Sequence, residues 1–289
     1  MKKVILIHFF ILQALIISAQ EKVQIKLTSP SPSASFEQEL GSTIIKVSYS
    51  RPLARGRKIF GELVPFEKLW RTGASDCTTI TTNEDIVFGN TTLKMGRYSI
   101  VTIPSKKEGT IIINTDTTLH GETGYDDKKD VFRLTVPVES TPNFHETFTI
   151  EINDINSKGE GFLKLIWENT TIKIPLKSKA DETILAVIDK NIIKEKILDA
   201  NLLFQAANYY YSTNRDSKQA IAWLIEAEKL DPQNFYYPNL RQKIATELKD
   251  YPSAIEAGKK ALSIAELKKM KSVESLKKQI LELELLLKK

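Results

Sequence analysis

At Lys177 the hydrophobic pattern of this chain changes its period. Before that point, apolar residues tend to alternate with polar ones in short runs broken by Gly, Pro, Asn and Ser. After it, Ala, Leu, Lys and Glu dominate and apolar residues recur every three to four positions. A period of two buries one face of a strand, whereas a period of 3.6 buries one stripe of a helix. The two patterns cannot share one element type, so the reading is α+β and multidomain. An N-terminal antiparallel β-sandwich or jelly-roll-like domain is expected over residues 20–177, and an all-α domain over 178–289. A chain of 289 residues is long enough for two ordinary cores.

In the first part, Val23–Leu27, Ala34–Leu40 and Thr43–Ser50 read as strands, the last placing Ile45, Val47 and Tyr49 on one face. Thr78–Thr82, Ile86–Phe88, Thr91–Lys94, Gly96–Pro104 and Thr110–Asn114 follow, with Gly89-Asn90 as a turn. Asp116–Asp130 is a long polar loop. Val131–Val138, His145–Ile152, Gly161–Trp167 and Thr170–Leu176 complete the set. Glu168-Asn169 reads as a hairpin turn that sets Leu163, Leu165 and Trp167 opposite Ile172, Ile174 and Leu176. Many short strands with frequent turns suit a sandwich.

In the second part, Ser178–Glu182 reads as a polar linker or as the N-terminus of a helix capped by Ser178, and Ile184, Val187, Ile188, Ile192 and Ile193 form one helical stripe after it. Further helices are expected over Ala200–Tyr211, Ser217–Leu230, Tyr236–Leu248, Pro252–Lys269 and Ser272–Leu287. Ala220-Ile221 recurs as Ala254-Ile255, and Ala227 recurs as Ala261, each after 34 residues. That is the period of the tetratricopeptide repeat, whose small residues sit where two antiparallel helices pack closely. Asn201–Pro232 resembles one such repeat, with Asn208 in place of a small residue. Phe235–Glu266 resembles a second more weakly: Pro238, Arg241 and Glu266 depart from the pattern, and Gly258 replaces its large residue. Repeats of this kind present a concave protein-binding surface, so a protein partner is expected there.

The N-terminus has its own signature. Lys2 and Lys3 precede an apolar run from Val4 to Ile17, and Ser18-Ala19-Gln20 offers small residues for cleavage. This is the layout of a secretory signal peptide, assigned to residues 1–19. The run is shorter than the ~20 residues a spanning helix needs, and no later segment is long and apolar enough. An exported protein, periplasmic or extracellular, without a membrane span after cleavage, is expected. Loss of the two lysines lowers the formal charge from +5 to +3. Basic residues are interleaved with acidic ones, which speaks against a nucleic-acid surface. The single cysteine, Cys77, excludes an intramolecular disulfide and reads as a small strand side chain.

The densest cluster of unusual residues lies between two strands. Arg51–Ala74 holds four Arg, three Gly, two Pro, two Phe and a Trp. Guanidinium groups clamp carboxylate or phosphate through paired donors, and Trp70 offers a ring for stacking on a sugar or on an Arg. Arg51, Arg57, Trp70, Arg71 and Thr72 are therefore the candidate ligand-binding residues, for an anionic, glycan or peptide ligand. The alternative is that these arginines tie the loop to strand-end carbonyls or to Asp126, Asp127 and Asp130, and that Trp70 plugs the sandwich.

The run Val47-Ser-Tyr-Ser-Arg-Pro52, with Gly56-Arg57, Ile59-Phe-Gly-Glu-Leu-Val-Pro65 and Trp70-Arg-Thr-Gly-Ala74, resembles domain-of-unknown-function family 2911. Leu93, Gly96, Tyr98, Thr102-Ile-Pro104, Tyr125-Asp126, Asp130 and Arg133 fit the same resemblance, which spans about Leu27 to Leu176. It implies an exported β-rich domain of Gram-negative bacteria, sometimes followed by helical repeats, and no established activity.

No catalytic residue, metal site or cofactor is assigned. Beyond the leader only His120 and His145 remain, without ligand spacing. Asp126-Asp-Lys-Lys-Asp130 lacks the alternating oxygens of a Ca²⁺ loop. Neither a nucleophile elbow nor a phosphate loop is present. Three functions stay open: a binding or scaffolding module of the envelope, a hydrolase acting on an envelope polymer, and a purely structural protein.

Overall fold

The computed structural model describes residues 27–288. The leader and most of the expected strand Val23–Leu27 lie outside the described residues. Among the described residues, nine strands form the first part: β1 (Ser33–Leu40), β2 (Thr43–Ser50), β3 (Thr78–Thr82), β4 (Ile86–Phe88), β5 (Thr91–Leu93), β6 (Gly96–Pro104), β7 (Glu108–Asn114), β8 (Asp130–Asn153) and β9 (Glu160–Lys177). They join in one antiparallel sheet of order β1-β2-β3-β6-β7-β8-β9-β4-β5.

The long strand β8 is what turns this sheet into two layers. Its first residues, Asp130–Pro137, pair with β7, and from Val138 onward it pairs with β9. Its ladder breaks register between Ser140 and Thr149, where the strand bends. The two halves of the sheet then face each other across one core. Ile45, Val47, Ile80, Ile100 and Ile111 from one half meet Phe148, Ile150, Leu163, Leu165 and Ile174 from the other. The Tyr49 hydroxyl spans the layers, donating to the Ile150 carbonyl at 3.2 Å and accepting from its N–H at 3.0 Å. Each fully buried Ile, Leu or Val stabilises the fold by ~1.5–3 kcal/mol.

Two pairs of expected strands, one of them the expected hairpin at Glu168-Asn169, are each one continuous strand. Val131–Val138 and His145–Ile152 belong to β8, and Gly161–Trp167 and Thr170–Leu176 belong to β9. Glu168 is not a turn residue. It sits at positive φ (49°) opposite His145, where the β8–β9 register shifts. The extra residues lie on β8, which advances nine positions from Ser140 to Thr149 while β9 advances four from Thr170 to Ile166; an excess of this kind is a β-bulge. At Glu168 the buried positions of β9 pass from odd numbers (Leu163, Leu165, Trp167) to even ones (Ile172, Ile174, Leu176), and all six stay in one core. A hairpin and a continuous strand turned at this point leave the same parity change in the sequence.

Six helices follow among the described residues: α1 (Ala180–Ile188), α2 (Ala200–Ser212), α3 (Ser217–Leu230), α4 (Tyr236–Glu247), α5 (Tyr251–Leu267) and α6 (Val273–Leu287). α1 runs into a wider π turn at Asp189–Lys194. That extra residue per turn rotates the expected stripe. Ile188 and Ile192 are buried, whereas Ile184, Val187 and Ile193 are exposed. Ser178 lies one residue before the cap position. Its Oγ accepts from the Ala180 N–H, and its backbone N–H bonds the Gly159 carbonyl. Gly159 has φ 73°, and a Cβ there would stand 2.2 Å from Ser178 Oγ, so only glycine fits this junction.

Asp216 and Asp250, one 34-residue interval apart, cap α3 and α5 by accepting from backbone N–H groups. Ala220, Ala227, Ala254 and Ala261 are all fully buried, and packing partners are α2 with α3, α4 with α5, and α5 with α6. Arg241, buried in α4, bonds Glu228 at 2.7 and 3.1 Å and Glu256 at 3.0 Å, while Lys260 reaches Glu228 at 2.8 Å.

The two parts are joined by more than the chain. Ser178 bonds Gly159, and just beyond it Asp181 ties α1 to the helices that follow, accepting from Arg215 at 2.7 and 2.8 Å and from the Tyr209 hydroxyl. Ser157, in the β8–β9 loop, donates to the Ser212 carbonyl at 2.7 Å. Asp85 binds both Lys94 and Lys179.

Candidate functional site

The connection between β2 and β3 forms no regular element, because its backbone is turned repeatedly. Arg55, Glu67, Thr72 and Ser75 adopt positive φ, as do Gly56, Gly61 and Gly73. Positive φ in a β-branched residue is a genuine outlier, and Thr72, at 58°, is fully buried. Such strain costs of order 1–3 kcal/mol and persists only where the surroundings enforce it. Here Thr72 Oγ1 meets Thr102 Oγ1 at 2.7 Å, and the Thr78 hydroxyl donates to the Thr72 carbonyl. Trp70 next to it exchanges both backbone hydrogen bonds with Thr102 of β6, at 2.8 Å each. The side chains of Trp70 and Arg71 are thereby fixed to the sheet.

Trp70 is buried in an aromatic cluster. Its ring stacks on Trp167 at 6.0 Å and meets Phe148 and Phe60 edge-on at 5.2 and 5.9 Å. Its Nε1–H donates to the Gly73 carbonyl. The ring is therefore part of the core and only its margin reaches the surface.

A cleft of about 570 Å³ opens over this cluster, within the range of small-molecule sites. Trp70, Trp167, Leu53, Val64 and Leu69 give it an apolar floor. Arg55, Arg57, Lys68, Arg71 and Glu122 are its charged lining. Four cations against one carboxylate leave a net charge of +3.

The arginines are held mostly by neutral oxygens. Arg57 donates to the carbonyls of Ala54 and Leu53 at 2.9 and 2.7 Å, and Arg55 to that of Pro30 at 2.9 Å. Carbonyls orient a guanidinium without cancelling its charge. Arg55 meets the Glu146 carboxylate only through its backbone N–H, at 2.7 Å, whereas the Arg71 guanidinium itself bonds a carboxylate: its Nε and Nη2 reach Glu122 at 3.2 and 3.3 Å.

Of the residues singled out from sequence, Arg57, Trp70 and Arg71 meet at this cleft. Arg51 does not line it; its guanidinium bonds the Phe148 carbonyl and Thr149 Oγ1 and ties β2 to β8. Thr72 also stands outside, beneath the strand ends. Asp126, Asp127 and Asp130 are not partners of these arginines. Asp130 takes Arg133, Tyr125 and Asn114 instead, and the Tyr125 hydroxyl, desolvated and bonded to Asp130, is pushed up to about 12. Lys68, Glu122 and Trp167 carried no local signal in the sequence; 97 residues separate Trp70 from Trp167.

Elsewhere, burial pushes the Cys77 thiol up, which disfavours a reactive thiolate. Among the described residues no three His, Cys, Asp or Glu side chains gather into a metal-holding group, and no helix is long and apolar enough to cross a membrane.

No curated protein and no solved structure matches this chain. One family does, over residues 31–176, from just before β1 almost to the end of β9. The Arg-rich connection, all of the sheet but Lys177 and all of the cleft lining but Pro30 fall within that span, and the chain belongs to the family described as Protein of unknown function (DUF2911).

Proposed function

We propose that this is an exported binding module whose β domain takes an anionic ligand in the cleft over Trp70. The reading rests on one observation: three arginines and a lysine surround an apolar floor, and only one carboxylate lines the same cleft. A guanidinium oriented by backbone carbonyls is preorganised for an incoming anion, so less side-chain entropy is lost on binding. Peptides and glycans remain in scope where they carry such a charge. Export rests on the N-terminal sequence, and the compartment is periplasmic or extracellular.

The helical part is read as tetratricopeptide-like, with a protein partner. Support comes from the 34-residue recurrence of buried alanines and of aspartate caps. A hydrolase is less well supported. Glu122 is the only carboxylate among the residues lining the cleft, whereas sugar hydrolysis uses a pair. A structural role draws on the fact that each of the four arginines has a hydrogen-bond partner within the chain.

The test is a titration with 8-anilinonaphthalene-1-sulfonate, an anion with an apolar body. One-site binding is expected, weakened at least tenfold in Arg57→Ala and in 0.5 M salt. Equal binding by wild type and Arg57→Ala would remove the cleft from consideration.

A further inference from the structure

We infer that Glu122 is a built-in carboxylate occupying the ligand's place on Arg71, and that the ligand is a carboxylate joined to an apolar body. The inference rests on the anion-binding reading above and names the ligand class within it. Arg71 points one edge of its fork, Nε and Nη2, at the two oxygens of Glu122, and its backbone N–H points at the same carboxylate from 3.4 Å. A flat side-on pairing of this kind suits a carboxylate. The contacts, at 3.2 to 3.4 Å, are longer than the ~2.7–2.9 Å of a well-seated charged pair. The remaining nitrogen, Nη1, is tied to the Ser75 carbonyl at 3.3 Å, so the fork stays aimed when its partner leaves.

Glu122 is placed to leave. Its side chain is 41% exposed, so water re-solvates it readily. Gly121 and Gly124, both at positive φ, flank it and give the backbone room to turn. A Cβ at Gly121 would stand 3.3 Å from the Arg71 guanidinium, so that residue also lets the loop lie flat on the fork. Once Glu122 swings out, the fork opens onto the apolar floor of Trp70, Trp167 and Leu53. An incoming carboxylate replaces one ion pair by another, and its apolar body adds burial that Glu122 does not supply. The net charge of the lining rises from +3 to +4 when Glu122 leaves, which favours the exchange.

The probe is decanoate, with acetate and decanol as the head and the body taken separately. Binding is read from the change in tryptophan fluorescence of the full chain, in which Trp70 and Trp167 line the cleft and Trp223, in α3, does not. Decanoate is expected to bind more tightly than either control. Glu122→Gln is expected to bind it about three- to fivefold more tightly than wild type, the worth of an exposed ion pair. In wild type, amide exchange at residues 121–124 is expected to speed up when decanoate binds. Decanoate binding with no gain in Glu122→Gln and no faster exchange overturns the inference and leaves the anion site standing. Binding of inorganic phosphate but not of decanoate does the same. No binding of any anion, by wild type or variant, overturns both.

Discussion

Trp70→Ala should unfold the β domain well before the helical part. The indole is buried against Trp167, Phe148 and Phe60, and its N–H is bonded to Gly73. Truncating a buried aromatic side chain costs about 3–5 kcal/mol, because lost transfer energy and the cavity left behind add. For a unit of about 150 residues, each kcal/mol shifts the midpoint by roughly 2–4 °C. A fall of the order of 10 °C is therefore expected. The assay is calorimetry of the full chain, with Trp70→Phe beside it. The phenylalanine variant keeps a ring but loses the indole N–H and part of the stack, so it should fall between the two. The helical transition should stay where it is, since α2–α6 pack around separate clusters. A Trp70→Ala chain melting within 2 °C of wild type would refute the claim that the aromatic cluster holds the cleft floor together.

Arg57→Ala should behave oppositely: the side chain is exposed and bonds only carbonyls three and four residues away, so stability should change by less than about 1 kcal/mol while anion binding falls, as melting and titration together would show. Asp85 is held down to about 2 from its ordinary 3.8, first by the hydrogen bond from Lys94. A depressed carboxyl contributes stability that is complete above its ordinary value and lost as pH falls toward 2, so Asp85→Asn should flatten the stability profile between pH 4 and pH 2 and leave it unchanged in shape near neutrality. Glu228→Ala leaves the buried Arg241 with only the exposed Glu256; a loss of about 3–5 kcal/mol is expected in chemical denaturation of the helical part. Lys249 closes α4 at φ 59°, with Asp250 N–H reaching back to the Ala245 carbonyl, so Lys249→Gly should stabilise that part by about 0.5–1 kcal/mol in the same experiment.

The period change at Lys177 placed the boundary between strands and helices because core faces leave regular marks. Thr43–Ser50 and Ser217–Leu230 begin and end where alternation and caps put them. The irregularity at Glu168 and the π turn after α1 were not legible, since each shifts the phase of a pattern that continues on both sides. At the cleft, the cations came from one dense stretch and could be named. Their partners could not: Glu122 approaches Arg71, and Phe148 approaches Arg51, across separations that only the folded sheet closes. The resemblance predicted a β-rich domain over the stretch that carries the cleft, and gave no ligand to place there.

The change of phase at Glu168 makes β9 a strand that counts its residues. Any substitution there leaves the count intact, whereas removing one residue would turn Ile172, Ile174 and Leu176 outward and bring their polar neighbours into the core. The damage would not stop at Lys177. Ser178, which bonds the β8–β9 loop at Gly159, and Asp181, which ties α1 to the helices after it, follow the same strand and would inherit its phase. Chains of this fold should therefore tolerate changes of residue type along β9 far better than changes of its length, and a single-codon deletion there should cost more than any exchange of side chains.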